Sequence, residues 1–205
     1  MKVLLVNGSL HEKGCTYTAL AEVAKALNEN GVETEIYWIG DKISGGCKGC
    51  WICKKTGECV INDGLNEFVK KAEEFDGYVF GSPVYYASAS GGLVSFMDRL
   101  FYSGGKKLAF KPAAAVVSCR RAGASTTFDV INKYFTINNM LVVGSNYWNE
   151  VHGNKAEEVL QDEEGLQTMR ILGNNMAWLL KCIEKGKEAG FAPERERKIM
   201  TNFIR

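Results

Sequence analysis

The strongest constraint on the fold is a rhythm: short apolar runs recur along the chain, each followed by a stretch of helical periodicity. Lys2–Val6 (KVLLV) reads as a strand. Thr16–Asn30 puts Leu20, Ala24 and Leu27 on one helical face and stops at Asn30-Gly31, a favourable helix end. Val32–Ile39 alternates and reads as a second strand. Asp63 is positioned to cap a helix reaching about Phe75. Gly77–Ser82 is a third strand and Gly91–Tyr102 a helix. Pro112–Cys119 is a fourth strand, apolar enough to be covered on both faces. Ser125–Asn139 is helical, Met140–Ser145 is a fifth strand, and a last helix runs from about Asp162 to Lys187 with Leu166, Met169, Met176, Leu179, Leu180 and Ile183 on one side. This βα alternation predicts a parallel sheet with helices on both faces.

The chain has 205 residues, 46% of them hydrophobic, which suits one domain over 1–205 with a core that needs no disulfide staples. Residues 191–205 are charged yet keep Ile199, Met200, Phe203 and Ile204, as either a docking arm for a second subunit or a frayed terminus. The formal net charge of +1 and the absence of a basic stripe argue against nucleic acid. The first apolar run is too short for a signal peptide and no stretch is long enough to cross a bilayer, so no membrane partner and a cytoplasmic location are expected. Seven cysteines in a reducing compartment, an odd number, imply buried thiols, metal ligands or redox chemistry rather than a disulfide framework.

Ligands of open α/β sheets sit beyond the carboxyl ends of the strands. The first such loop, NGSLHEKGCT (Asn7–Thr16), has neither a dinucleotide fingerprint nor a P-loop. It offers hydroxyls on Ser9, Thr16 and Tyr17 and the unpaired backbone N–H groups of Cys15 to Tyr17 at a helix start. Such a start favours an anion, to which His11 could add positive charge. A plain Ser/Thr-rich helix cap without a ligand is the alternative.

The same loop resembles the phosphate loop of the NADPH-dependent FMN reductase family, whose usual pattern is G-S-x-R-x-x-G/S-x-T. Gly8-Ser9, Gly14 and Thr16 match, while His11 stands where Arg is usual and Cys15 where Asn or Ser is usual. The segment FGSPVYYASASGGLVSFMDRLFYSG (Phe80–Gly104) is similar to that family's flavin-binding segment over its whole length. The resemblance implies a flavodoxin-like three-layer αβα fold, a five-stranded parallel sheet in the order 2-1-3-4-5, and FMN as cofactor. It implies that Pro83, Val84, Tyr85 and Tyr86 contact the flavin ring and ribityl chain, and that Cys119, Arg120 and Gly123 lie at the flavin edge. An arginine there would stabilise the reduced, anionic ring. Tyr at a strand end is also ordinary core edge, and Arg121 reads either as a contact for a nicotinamide dinucleotide's phosphate or as a solvated charge, the commoner state of loop charges. Trp148, Asn149 and His152 fall near the same end of the sheet, without an assigned role.

The spacing C-x2-C-x2-C-x5-C at Cys47, Cys50, Cys53 and Cys59 leaves three readings open. Close thiolates eased by Gly49 and Gly57 can wrap a [4Fe–4S] cluster, and iron–sulfur flavoproteins, relatives of the FMN reductases, carry the same spacing. Zinc is chemically satisfied by the same set, though the pairs are close together for a zinc ribbon. Metal-free, redox-active thiols are the third. Cys15 and Cys182 are isolated and read as packing residues.

The expected activity is an FMN-dependent oxidoreductase passing hydride from NAD(P)H through the flavin to a small acceptor such as a quinone, a nitro compound or free flavin. No side chain need act as acid or base, so no catalytic residue is assigned. The alternative is an electron carrier between redox protein partners. The resemblance also implies a homodimer or homotetramer.

Overall fold

The computed structural model describes residues 1–201 and 203. Asn202, Ile204 and Arg205, at the tip of the expected docking arm, lie outside the described residues. The elements in chain order are β1 (Lys2–Asn7), α1 (Cys15–Glu29), β2 (Glu33–Trp38), α2 (Cys53–Thr56), α3 (Leu65–Lys71) with a 3-10 turn over Ala72–Glu74, β3 (Gly77–Tyr85), β4 (Ser88–Ala89), α4 (Gly91–Leu108), β5 (Pro112–Cys119), α5 (Ala124–Ile137), β6 (Leu141–Val142), β7 (Glu150–His152), α6 (Ala156–Val159) and α7 (Glu163–Glu188). The sheet order is β2-β1-β3-β5-β6, with all of these pairs parallel. Counting β5 as the fourth long strand, this is the expected order 2-1-3-4-5.

The central strands are buried on both faces because their side chains alternate between two helical layers. Leu4, Val6, Tyr78, Phe80, Ala113, Ala115 and Val117 join the layer of α3, α4 and α5. Val3, Leu5, Val79, Ala114 and Val116 face α1 and α7. Each fully buried Val, Leu or Phe contributes about 1.5–3 kcal/mol. Such packing fixes the carboxyl rim of the sheet on which the loops are mounted.

Three expectations need correction. The fifth strand is not continuous. β6 pairs with Pro112 and Ala113, β7 with Val117 to Cys119, and residues 144–149 bulge out between them. The buried Asn149 bridges the gap, its Nδ2 donating to the Ala115 carbonyl (3.0 Å) and its own carbonyl accepting from Val117 N–H (2.9 Å). Asp63 does not cap α3; Gly64 takes that position, and the Asp63 carboxylate is drawn into the core edge by Arg99. Cys182 is exposed rather than packed. The last helix begins where expected, and Asp162 caps it, its carboxylate accepting from Gly165 N–H at 2.9 Å.

Candidate flavin and cysteine sites

At the carboxyl end of β1 the chain enters the 8–14 loop already fastened. The buried Asn7 side chain accepts from Ser9 N–H (3.1 Å) and donates to the Glu12 carbonyl (3.0 Å). Ser9 Oγ accepts from His11 N–H (3.0 Å), Trp38 Nε1 donates to the Ser9 carbonyl (2.8 Å), and Ser90 Oγ donates to the Gly8 carbonyl (2.6 Å). Gly8 is required here: a Cβ would lie 2.8 Å from the Gly81 carbonyl oxygen and 2.8 Å from Leu93 Cβ. Asn7, Trp38 and Ser90 escaped sequence reasoning. The one available signal was an Asn closing an otherwise apolar strand.

The loop delivers the start of α1. The first helical bond runs from Thr18 N–H to the Gly14 carbonyl, so the N–H groups of Cys15, Thr16 and Tyr17 precede it and point out of the helix end. The aligned peptide dipoles favour negative charge there. Thr16 contributes through its backbone: its side chain is buried, with Oγ1 sharing a 2.8 Å hydrogen bond with Ser118 Oγ. Cys15 is half-buried with Sγ 3.5 Å from the Gly153 carbonyl, and burial pushes its thiol pKa up. A neutral thiol sets no charge against an arriving phosphate. His11 is exposed, and Lys13 Nζ lies 4.2 Å over the Tyr17 ring.

The second loop is a tight hairpin. β3 turns back through β4, with Val84 opposite Ala89 and Tyr85 opposite Ser88. Tyr86 sits at the tip, fully exposed, at φ +61°, while Ala87 N–H donates to the Tyr85 carbonyl at 2.8 Å. Ser90 N–H donates to Ser82 Oγ (3.0 Å), and Ser90 caps α4 by accepting from Leu93 N–H (3.2 Å). Pro83 and Val84 are half-buried.

The third loop follows β5. Cys119 is buried; burial first, and the Glu150 carboxylate second, push its thiol pKa up. Arg120 and Arg121 are exposed. Gly123 has φ +87°, and a Cβ there would lie 2.8 Å from Val84 Cγ1, so this turn and the hairpin approach at contact distance. The topology therefore gathers the three sequence-assigned loops on one rim. Trp148 and Tyr147 are exposed beside it, their ring centroids 5.1 Å apart.

The cysteine loop leaves the same rim after β2 and docks along α4. Trp51 packs edge-on against Tyr102 (5.6 Å), Cys53 Sγ lies 3.8 Å from the Tyr102 carbonyl, and Lys54 Nζ reaches the same oxygen (3.4 Å). Cys47, Cys50, Cys53 and Cys59 are all free thiols and all line one small cavity of about 30 Å³ with Trp51, Val60, Ile61, Tyr102 and Arg99. Their sulfurs are not drawn together; among the described residues no group of three or more His, Cys, Asp or Glu stands at metal-ligating positions. The donor chemistry, four thiols lining one cavity, fits a thiolate-held group, which would draw the sulfurs together on binding. At the cavity edge Arg99 pairs bidentately with Asp63 (3.0 and 2.6 Å), both side chains buried. Burial raises the pKa of Asp63, but the hydrogen bonds from Arg99 and Ser44 and the Arg99 charge outweigh it, and the carboxyl ends below its usual range.

The family model described as NADPH-dependent FMN reductase matches residues 1–155. The chain belongs to that family. Its members' flavoprotein oxidoreductase character thus applies to this flavodoxin-like chain. An iron-sulfur flavoprotein of Methanocaldococcus jannaschii is 36% identical over 196 residues, covering 90% of this chain and 100% of that one. Among solved structures, RosB with a bound 8-demethyl-8-formylriboflavin-5'-phosphate intermediate superposes with a TM-score of 0.72 at 15% identity, covering 100% of this chain and 92% of that one. A flavodoxin from the domain Archaea gives 0.62 at 16% identity, over 88% of this chain and 99% of that one. At such identities these two likenesses speak to the fold. Among the described residues no helix is long and apolar enough to cross a membrane.

Proposed function

We propose that this family member is an iron–sulfur flavoprotein, binding FMN at the rim and a [4Fe–4S] cluster on Cys47, Cys50, Cys53 and Cys59. The observation that carries this reading is that four thiols in one compact motif line one cavity along the same helix that opens at the flavin hairpin. From Ser90 to Arg99 is nine residues, about 14 Å along the axis of α4. The full-length similarity to a relative named iron-sulfur flavoprotein supports the reading.

When bound, the flavin supplies hydride and single-electron exchange and the cluster single-electron exchange. The chain's own groups do the rest. The Cys15–Tyr17 N–H groups hold the phosphate. Ser9 shapes the loop, and His11 adds charge when protonated. Pro83 to Tyr86 shape the ring's bed, and Arg120 offers positive charge to the pyrimidine edge of the reduced ring. Cys119 and Gly123 set the path of that third turn. The exposed Phe191, Ile199, Met200 and Phe203 support a carboxyl-terminal arm that docks on a second copy.

A second reading is supported by the family description: an NAD(P)H-dependent reductase that passes hydride through FMN to a quinone, a nitro compound or free flavin. The exposed hairpin tip at Tyr86 supports access of a flat donor to the ring. An absorption spectrum of protein purified without oxygen, with iron and sulfide assays, separates the two. About four irons per chain and a broad blue shoulder are expected for the cluster protein; flavin bands alone would defeat it. Steady-state oxidation of NAD(P)H with small acceptors then distinguishes a reductase from a carrier reduced by ferredoxin.

A further inference from the structure

This inference rests on the cluster reading above. The four thiols of the cavity are not equivalent. Cys47 and Cys50 are exposed, and Cys53 is half-buried beside a backbone carbonyl. Cys59 is gripped from two sides. The Asn66 side chain accepts from its N–H (2.8 Å) and donates to its carbonyl (2.9 Å). Its sulfur lies 3.8 Å from Arg99 Nη1.

Arg99 is an unusual residue to find there. Its side chain is 1% exposed, and its Nε has no partner among the described residues. Burying a guanidinium is costly unless its geometry is fixed by a partner. Asp63 provides that partner with both oxygens, and is itself held by the Ser44 N–H (3.0 Å) and hydroxyl (3.1 Å). The result is a clamped fork whose Nη1 is shared between a carboxylate and a cysteine sulfur.

We propose that Arg99 is a positioning residue of the cysteine site: locked by Asp63, it holds a positive charge and an N–H donor against the Cys59 sulfur and so raises the reduction potential of a cluster ligated there. Adding an electron to a cluster makes its thiolate sulfurs more negative. A fixed donor and a fixed cation therefore stabilise the reduced state more than the oxidised one. Cys59, held at backbone and sulfur, is the ligand through which that bias acts, while Cys47 and Cys50 close the site from the solvent side.

The test compares redox titrations of the wild-type chain and two variants after anaerobic reconstitution, following cluster and flavin bands in the same sample. Arg99→Met combined with Asp63→Leu removes both charges together, a replacement that is often neutral or stabilising for a buried pair. It is expected to keep its iron while the reduced-to-oxidised cluster ratio at a fixed poise falls about tenfold, about 59 mV for one electron. The flavin bands are expected to titrate unmoved. Arg99→Lys keeps the charge without the fork and is expected to fall by less. An unmoved cluster potential in an iron-loaded double variant overturns the inference and leaves the cluster reading intact. A wild-type chain that takes up no iron overturns both. Should the double variant fail to fold, Arg99→Lys decides: a lowered potential supports the inference and an unchanged one defeats it.

Discussion

The rim and the cysteine loop are built on opposite plans. At the rim, the turn from Gly8 to Gly14 is tied by Asn7, Trp38 and Ser90, all anchored in or beside the core. In the cysteine loop, two of the four thiols are exposed, α2 is only four residues long, and Gly49, Trp51 and Gly57 all take positive φ. The rim is preorganised: its shape is specified by packing, so the nucleotide proposed to bind there would meet donors already in place. In the loop the four thiols share one cavity without converging. Sites of that kind reach their final shape by binding, because metal affinity and local folding are the same free energy.

The sharpest break of this comparison is Cys47→Ser with Cys50→Ser. Complete loss of cluster absorbance is expected, with FMN affinity unchanged, measured by iron assay and by flavin fluorescence titration. If FMN binding falls together with iron, the two sites are one cooperative unit and the contrast fails.

Next in size is Asp63→Ala. It strands Arg99 as an unpaired buried charge, and breaking a buried pair in this way costs about 3–5 kcal/mol. Urea unfolding of the metal-free chain reads it directly. A loss below about 1 kcal/mol would mean that water reaches the guanidinium as it reaches a surface pair. The pH dependence carries a definite sign. The Asp63 carboxyl lies below its usual value in the fold, so its stabilisation is present above the unfolded carboxyl pKa of about 3.9. It is lost as pH falls through the depressed folded value. Asp63→Asn is expected to flatten the acid limb of the stability profile below about pH 4 and leave the neutral region parallel to the wild type.

A smaller effect sharpens the preorganised side. Gly8→Ala sets a methyl 2.8 Å from the Gly81 carbonyl oxygen, a backbone atom that cannot yield without moving β3. A stability loss of about 1–3 kcal/mol is expected, accompanied by weaker FMN binding. In the cysteine loop the same change acts differently: Gly49→Ala meets no atom within 4 Å, and its cost is the backbone strain of a φ of +63° rather than a clash.

This contrast also decides what could be read in the sequence. The strands were legible because each central strand is an unbroken apolar run, as a doubly covered sheet demands, whereas their order followed from the family resemblance and not from the runs themselves. The helix start after β1 was legible because its hydroxyls and the first turn of α1 are contiguous in the chain. The ties that hold it were not, since Trp38 and Ser90 are distant in sequence from the loop they fasten. The direction of the Thr16 hydroxyl was hidden for the same reason: its partner, Ser118, lies on β5. Asp63 read as a helix cap by local grammar, but Arg99, 36 positions on, offers a bidentate charged partner that outcompetes a cap hydrogen bond. The four cysteines stood out by spacing alone and do line one cavity, while Arg99, at its edge, gave no local signal. Met140–Ser145 misled because an apolar run does not reveal that its strand is interrupted by a bulge whose missing hydrogen bond a side-chain amide replaces.

The smallest expected effect lies at Tyr86, where the rim departs from its own plan. The residue is fully exposed at φ +61°, in a three-residue turn closed by Ala87 N–H on the Tyr85 carbonyl, a strained arrangement for any residue but glycine. Its side chain covers nothing in the fold, so stability gives no reason for a tyrosine there. Tyr86→Gly relieves the turn but gives the unfolded chain more freedom, and the two effects leave stability within about 0.5 kcal/mol of the wild type. If the ring instead serves the flavin, FMN affinity falls by the worth of an aromatic contact, about 0.5–1.5 kcal/mol. Thermal unfolding of the flavin-free chain and FMN titration of the same sample measure the two terms separately. Unchanged affinity would remove Tyr86 from the flavin bed and leave its strained turn to serve some other contact at the exposed tip.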